Sequence, residues 1–324
     1  MANGKDHQYL LPAGLKDGLP PDAAFEAAIV ERLMACFAAW GYERVKPPLI
    51  EFEDALLSGM GAAMASDTFR LMDPVSQRMM GVRPDMTVQV ARIAVTRLKH
   101  EPRPLRLSYG GNVIRVRGGA LKPERQFAQV GTELIGVDSA EADAEAVLLA
   151  VDALRAIGVA ELSIDLNLPT LVAAVGAGLK LPADTLRRVR RALDRKDEGD
   201  IAKVLGDAKK AVDLFAGLLR AAGPAERGIT RLAALKLPAA AAQEAARLGE
   251  VVKLIHAADE DLPLTLDPVE YRGLEYQTGV SFSVFALKGR HELARGGRYS
   301  AGYPEDGVSE PATGFTLYMD AVLQ

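Results

Sequence analysis

Gln126-Phe127-Ala128-Gln129-Val130-Gly131-Thr132-Glu133-Leu134 is the stretch on which the fold turns. Successive side chains of a strand point to opposite faces. Phe127, Gln129, Gly131 and Glu133 therefore share one face, and Ala128, Val130, Thr132 and Leu134 the other. The second set is apolar and belongs against helices. The first is polar, with a glycine that leaves space, which is the make-up of a pocket floor. A strand with one face in water alternates in the same way, so the pattern alone leaves both readings open. The spacing predicts a strand over residues 125–135, paired with one over 106–117. The loop between them, 118–124, carries the glycines and proline of a long hairpin. Arg115 and Arg117 then share a face of the partner strand.

Upstream, Pro20-Pro21-Asp22 opens a helix in which Phe25, Ile29, Leu33 and Phe37 recur every fourth residue as one apolar stripe. Gly41 ends it in a left-handed conformation. Residues 42–45 read as an entry strand before Pro47-Pro48. Short strands are expected over 67–72 and 78–82, around the turn Asp73-Pro74-Val75-Ser76. Arg83-Pro84-Asp85-Met86-Thr87 leads into a helix over 88–98, whose first N–H groups favour a bound anion or carboxylate.

Downstream, a helix over 140–157 and a strand over 161–166 precede a change of composition. Residues 169–258 are rich in Ala, Leu, Lys and Arg and read as four to six helices. Strands return at 264–266, 275–285 and 293–295, followed by a turn at Gly296-Gly297-Arg298-Tyr299. A last strand spans 312–318, and a helix starts at Met319. The expected class is α+β: an antiparallel sheet flanked by helices. The expected division is a core over 1–168 and 261–324 with a mostly helical insertion over 169–260.

The 324 residues suffice for one large domain or two modest ones. A hydrophobic share of 49% and a charged share of 25% are ordinary for a soluble globular protein. The net charge of −4 argues against nucleic acid as the main partner, because phosphate neutralisation requires a basic excess. Cys36 is the single cysteine and reads as a small buried hydrophobe. The four histidines show no ligand spacing, so no metal and no cofactor is expected. The N-terminal segment lacks the apolar core of a signal peptide. The most apolar run, 146–157, is cut by Asp152 and Arg155, short of the ~20 residues a membrane span needs. A cytoplasmic protein is expected. The basic run Arg187-Arg188-Val189-Arg190-Arg191, with Arg195 and Lys196, is flanked by Asp184, Asp194, Asp197 and Glu198. It reads as a solvated helix face, able to steer an acidic protein partner.

Two later stretches sharpen the functional reading: Arg272-Gly273-Leu274-Glu275-Tyr276 and Ala294-Arg295-Gly296-Gly297-Arg298-Tyr299. With the 126–134 strand they resemble the amino-acid pocket of histidyl-tRNA synthetase, a class II synthetase. The resemblance covers nearly the whole chain, least securely the helical stretch. It implies that Arg115 and Arg272 supply cations at a ligand carboxylate, that Gln129 and Glu133 hold a substrate side chain, and that Asp85 and Thr87 meet the α-ammonium. Tyr276 and Tyr299 complete the candidate site. It also implies a homodimer through the first helix.

The departures from that pattern are equally informative. Arg117, Gly118, Gly119 and Ala120 stand where the synthetase pattern carries a glutamate and basic residues for ATP. Ala321 stands where an arginine clamps ATP, and Gln277 replaces a pocket tyrosine. Loss of one such cation typically lowers a rate by ~10² or more. Arg83-Pro84-Asp85-Met86-Thr87 looks more like the synthetase's non-catalytic relatives, the regulatory subunits of ATP phosphoribosyltransferase. No anticodon-binding domain is expected. The resemblance implies a non-catalytic partner of a short catalytic subunit in the first step of histidine biosynthesis, with histidine as feedback effector. A stand-alone ligase and an RNA-binding module are the competing readings.

Overall fold

A computed structural model of the chain describes residues 10–118, 123–271, 276–288, 291–303 and 307–323. Helix α1 (Asp22–Ala39) is followed by β1 (Glu43–Arg44), β2 (Ile50–Phe52), α2 (Glu53–Leu56), β3 (Arg70–Met72), β4 (Met79–Val82) and α3 (Thr87–Thr96). Then come the hairpin strands β5 (Leu105–Ile114) and β6 (Gln126–Ile135), helix α4 (Ala140–Ala156) and β7 (Leu162–Asn167). The helical stretch holds α5 (Leu171–Gly178), α6 (Ala183–Asp194), α7 (Glu198–Leu205), α8 (Lys209–Arg220), the two-residue β8 (Gly223–Pro224), α9 (Ala225–Ala234) and α10 (Ala239–Ala258). Strands β9 (Leu264–Asp267), β10 (Gln277–Ala286), β11 (Glu292–Tyr303) and β12 (Val308–Tyr318) and helix α11 (Met319–Val322) close the chain.

The main sheet has nine strands in the order β1-β5-β6-β12-β11-β10-β7-β9-β8, and a small sheet runs β2-β4-β3. Pairing is antiparallel from β5 through β7, and among the described residues the parallel pairs are β1–β5 and β7–β9. The alternation along β6 builds this directly. Ala128, Val130 and Leu134 join the core beneath α1 and α4, while Phe127 packs on the opposite face beside α3. The expected α+β sheet with flanking helices is the observed one. Six helices lie between β7 and β9 among the described residues, and they share one apolar core with the sheet through Val189, Phe215, Leu248 and Ile255.

α1 buries Ile29, Leu33 and Phe37, the last edge-on to Phe315 at 5.8 Å. Phe25, the first residue of the expected stripe, is 56% exposed and lines a surface groove with Gln126 and Ala128 of β6. Gly41, at φ 81°, lets Tyr42 N–H reach back to Phe37 O, which closes the helix as its position predicted. Cys36 is half-buried rather than buried.

The sharpest correction concerns Gly296-Gly297-Arg298-Tyr299. These residues are the middle of β11, not a turn. A Cβ at Gly296 would sit 2.5 Å from both Gly314 O and the Phe282 ring, and one at Gly297 2.6 Å from Ser281 Cα. The glycines let three strands and an aromatic ring close up, so local Gly-Gly composition misled. Gly296→Ala is expected to cost about 1–3 kcal/mol, the usual range for overpacking. An unchanged urea midpoint would contradict that account. Strand β5 also ends at Ile114, so Arg115 and Arg117 lie beyond it rather than on its face.

Candidate functional site

Side chains from five elements converge on the face of the sheet opposite α1 and α4. Glu133 is buried and accepts hydrogen bonds from Tyr109 Oη (3.1 Å, to Oε1) and Tyr299 Oη (2.8 Å, to Oε2). The Tyr109 hydroxyl also meets Thr316 Oγ1 at 2.8 Å and Thr87 Oγ1 at 3.2 Å. Burial pushes the Glu133 carboxyl up to about 8, against the lowering pull of the two tyrosine hydrogen bonds; the Asp85 charge adds to the rise. At neutral pH this glutamate is therefore mostly a neutral acid, able to donate as well as accept.

The segment 83–87 forms one wall. Arg83 anchors it to the loop before β2 and to β5, donating to Pro47 O and Asn112 O. Asp85 Oδ1 accepts from Thr87 N at 2.8 Å, and Oδ2 accepts from Gln129 Nε2 at 2.8 Å. Gln129 Oε1 accepts from Met86 N at 3.1 Å. The start of α3 was expected to offer N–H groups to a bound anion. Two of the N–H groups at this end, those of Met86 and Thr87, are taken by Gln129 and Asp85 from the chain itself.

Gly131 leaves the space its position predicted, but that space is filled. A Cβ there would lie 2.5 Å from the Tyr109 hydroxyl. Tyr109 and Thr316, absent from the sequence-derived candidates, are thus central to the network. The signal for Tyr109 is its register opposite Gly131, which a single sequence does not reveal. Tyr276 lies edge-on to Tyr299, with centroids 6.5 Å apart. Arg115 donates to Pro84 O at 3.3 Å and stands 5.2 Å from the Phe127 ring centroid, at the rim. Of the sequence-derived set, Asp85, Thr87, Arg115, Gln129, Glu133, Tyr276 and Tyr299 surround one region. Arg272 lies outside the described residues, as do Gly273, Leu274 and Glu275.

The family model for histidyl-tRNA synthetase matches residues 14–322. The ATP phosphoribosyltransferase regulatory subunit of Rhodospirillum centenum is 58% identical over 315 residues, covering 97% of this chain and 80% of that one. The chain belongs to the ATP phosphoribosyltransferase regulatory subunit family. Two solved structures share the fold of this regulatory-subunit chain. One is an ATP phosphoribosyltransferase regulatory subunit/histidyl-tRNA synthetase from Bacillus halodurans, with a TM-score of 0.85 at 24% identity, covering 97% of this chain and 82% of that one. The other is a chain of the ATP phosphoribosyl transferase complex from Thermotoga maritima, with a TM-score of 0.70 at 16% identity, covering 91% and 97%.

Seen as a regulatory subunit, the chain keeps a buried polar network on this face of the sheet and departs from the synthetase pattern at the nucleotide end. Ala321, which stands where the synthetase pattern has an ATP-clamping arginine, is buried in the apolar core at 5% exposure. Arg117 is exposed, and Gly119 and Ala120 lie outside the described residues. The basic run of α6 is largely self-compensated. Arg187 pairs with Asp184, Arg195 with Asp200 and Lys196 with Asp267, and Arg190 stacks on Tyr271 at 4.7 Å. Among the described residues, no cluster of His, Cys, Asp and Glu could hold a metal, and no helix is long and apolar enough to cross a membrane.

Proposed function

We propose that this chain acts as the non-catalytic regulatory subunit of ATP phosphoribosyltransferase. In this reading it works with a short catalytic subunit in the first step of histidine biosynthesis and transmits feedback inhibition by histidine. The observation that carries it is the buried Glu133–Tyr109–Tyr299 network facing Asp85 and Gln129, retained while Ala321 is sealed into apolar packing. A small zwitterion finds partners there, and a triphosphate does not. Histidine is the proposed effector, with Asp85 and Thr87 toward its ammonium, Arg115 and Arg272 toward its carboxylate, and Gln129, Glu133, Tyr276 and Tyr299 around its side chain. Family membership supports the regulatory role.

The same reading takes residues 169–260 as a helical insert into a core built from 1–168 and 261–324. It places the protein in the cytoplasm, as a homodimer within a hetero-oligomer. The exposed Leu19, just before α1, and Phe25, in its first turn, suit a self-contact there.

The deciding measurement mixes the chain with a short catalytic subunit and follows the condensation of ATP with phosphoribosyl pyrophosphate. Turnover is expected to rise on addition of this chain and to fall again with histidine. A coupling of ~1–3 kcal/mol between effector and active state corresponds to a shift of roughly 5- to 150-fold, and it is reciprocal. Turnover indifferent to the chain across cognate pairings would end the proposal. Histidine-dependent pyrophosphate exchange by the chain alone would favour the ligase reading instead.

A further inference from the structure

Asp143 lies in the first turn of α4, is buried, and has its carboxylate divided between two arginines from distant parts of the chain. Oδ1 accepts from both Nε (2.8 Å) and Nη2 (2.7 Å) of Arg298, on β11. Oδ2 accepts from Nε of Arg247, on α10, at 2.9 Å. The neighbouring Asp138 is shared in the same way: its Oδ1 lies 2.6 Å from Arg247 Nη1 and 3.5 Å from Arg298 Nη1. A helix of the 169–260 stretch and a strand of the Glu133 network thus meet on two carboxylates.

A cleft of about 910 Å³ separates the two elements here, lined by Glu244, Arg247 and Glu250 of α10, Thr278 of β10, and Arg298 and Ser300 of β11. The polar link beside it therefore fixes their relative position. Arg247 Nη2 is buried without a hydrogen-bond partner. The side chain is thus placed to satisfy the aspartates rather than its own donors. The way Arg298 binds is equally informative. A guanidinium facing a free carboxylate takes the bidentate fork, one nitrogen to each oxygen. Arg298 instead puts both nitrogens on Oδ1, because Arg247 holds Oδ2. With Arg247 gone, Asp143 turns to offer Oδ2, and Arg298 follows it. Arg298 carries β11 with it, and the next residue, Tyr299, donates to Glu133 Oε2 at 2.8 Å from the other face of that strand.

We propose that Arg247, a residue of the helical stretch, is a positioning residue for the Glu133 network: its hold on Asp143 Oδ2 sets where Arg298 anchors β11, and so where Tyr299 meets Glu133. Arg247 acts from behind the sheet, through two ion pairs in series. α10 thereby becomes an input to the network. A shift of α10 changes the geometry at Glu133, and binding beside Glu133 is felt at α10 to the same degree. The consequence for histidine rests on the effector reading given above; the effect on Glu133 itself does not.

The Glu133 carboxyl reports this geometry. Its protonated C=O band, identified in the infrared spectrum of the ligand-free full chain by its absence from Glu133→Gln, is followed against pH. Burial holds the wild-type midpoint at about 8, and the Tyr299 hydrogen bond draws it down. Arg247→Met is expected to raise the midpoint by about 0.5–1 pH unit, the weakening of one hydrogen bond to the carboxylate. Asp85, Tyr109, Tyr276 and Tyr299, the titratable groups around Glu133, are the same in both Arg247 variants. Arg247→Lys should move it the same way, because a point charge cannot hold both aspartates. Gln243→Ala, on the same wall of the cleft, should leave it unmoved. By calorimetry, histidine should bind the Arg247→Met chain about 3- to 10-fold more weakly than wild type. A midpoint unchanged in both Arg247 variants, or full rescue by lysine, overturns the inference. A raised midpoint with no histidine binding even by the wild-type chain overturns the effector reading and leaves the positioning role standing.

Discussion

Arg298→Met is expected to destabilise the chain by about 3–5 kcal/mol, the usual cost of removing one partner from a buried ion pair. Arg298 is 5% exposed and Asp143 2%. The guanidinium donates from Nε to Asp143 Oδ1 at 2.8 Å, from Nη1 to Val137 O at 2.9 Å and from Nη2 to Ser139 O at 3.3 Å. One side chain thus fastens β11 to the segment that enters α4 and to the first turn of the helix. Methionine fills a similar volume but leaves Asp143 with only Arg247 as a cationic partner, and two carbonyls unpaired. Lysine does not rescue, because a point charge cannot serve three divergent acceptors. A urea midpoint within experimental error of wild type would show that the network contributes nothing. The effect reaches the pocket as well. Tyr299 follows Arg298 on the same strand and points the other way, to Glu133. Loosening the strand from behind is therefore expected to weaken effector binding together with stability.

Arg298 also shows where the sequence stops being readable. Its partner Asp143 is 155 residues away, and the motif that contains it reads locally as a turn. What made it a strand lies elsewhere: the Phe282 ring and Gly314 carbonyl that require Gly296, and the Ser281 backbone that requires Gly297. The alternation along β6 was legible because it needs only the period of a strand, and it correctly separated the apolar face under α1 and α4 from the polar one that carries Gln129 and Glu133. The function of Gly131 was half legible. Empty space was readable from glycine, but its occupant, Tyr109, depends on cross-strand register. Asp85, Thr87, Gln129 and Glu133 were recognisable as a set from the resemblance. That Asp85 and Gln129 would bind each other and take the Thr87 and Met86 N–H groups is tertiary information. The basic run of α6 was correctly read as solvated, although Arg190 and Lys196 also grip Tyr271 and Asp267.

Glu133→Gln is expected to reverse the sign of its effect on stability with pH. Unfolded, the carboxyl has its ordinary value of 4.5; folded, burial holds it at about 8. Below the lower value both states bind the proton, and the residue contributes no pH dependence. Above it the unfolded chain releases a proton that the folded chain keeps. Stability then falls by about 1.4 kcal/mol per pH unit until the folded carboxyl also ionises. At pH 7 the accumulated cost is on the order of 3 kcal/mol. Glutamine does not titrate, but it can accept only one of the two tyrosine hydrogen bonds, at a loss of about 1 kcal/mol. The ligand-free variant should therefore be about 1 kcal/mol less stable than wild type near pH 4 and about 2 kcal/mol more stable near pH 7. Urea midpoints across that range measure it, and parallel curves for the two proteins would refute the assignment. A natural residue that weakens its own fold at working pH is expected where binding supplies the missing partner. In the proposed complex, the effector's side chain beside Glu133 is that partner. The same substitution that stabilises the empty chain should accordingly blunt its response to histidine.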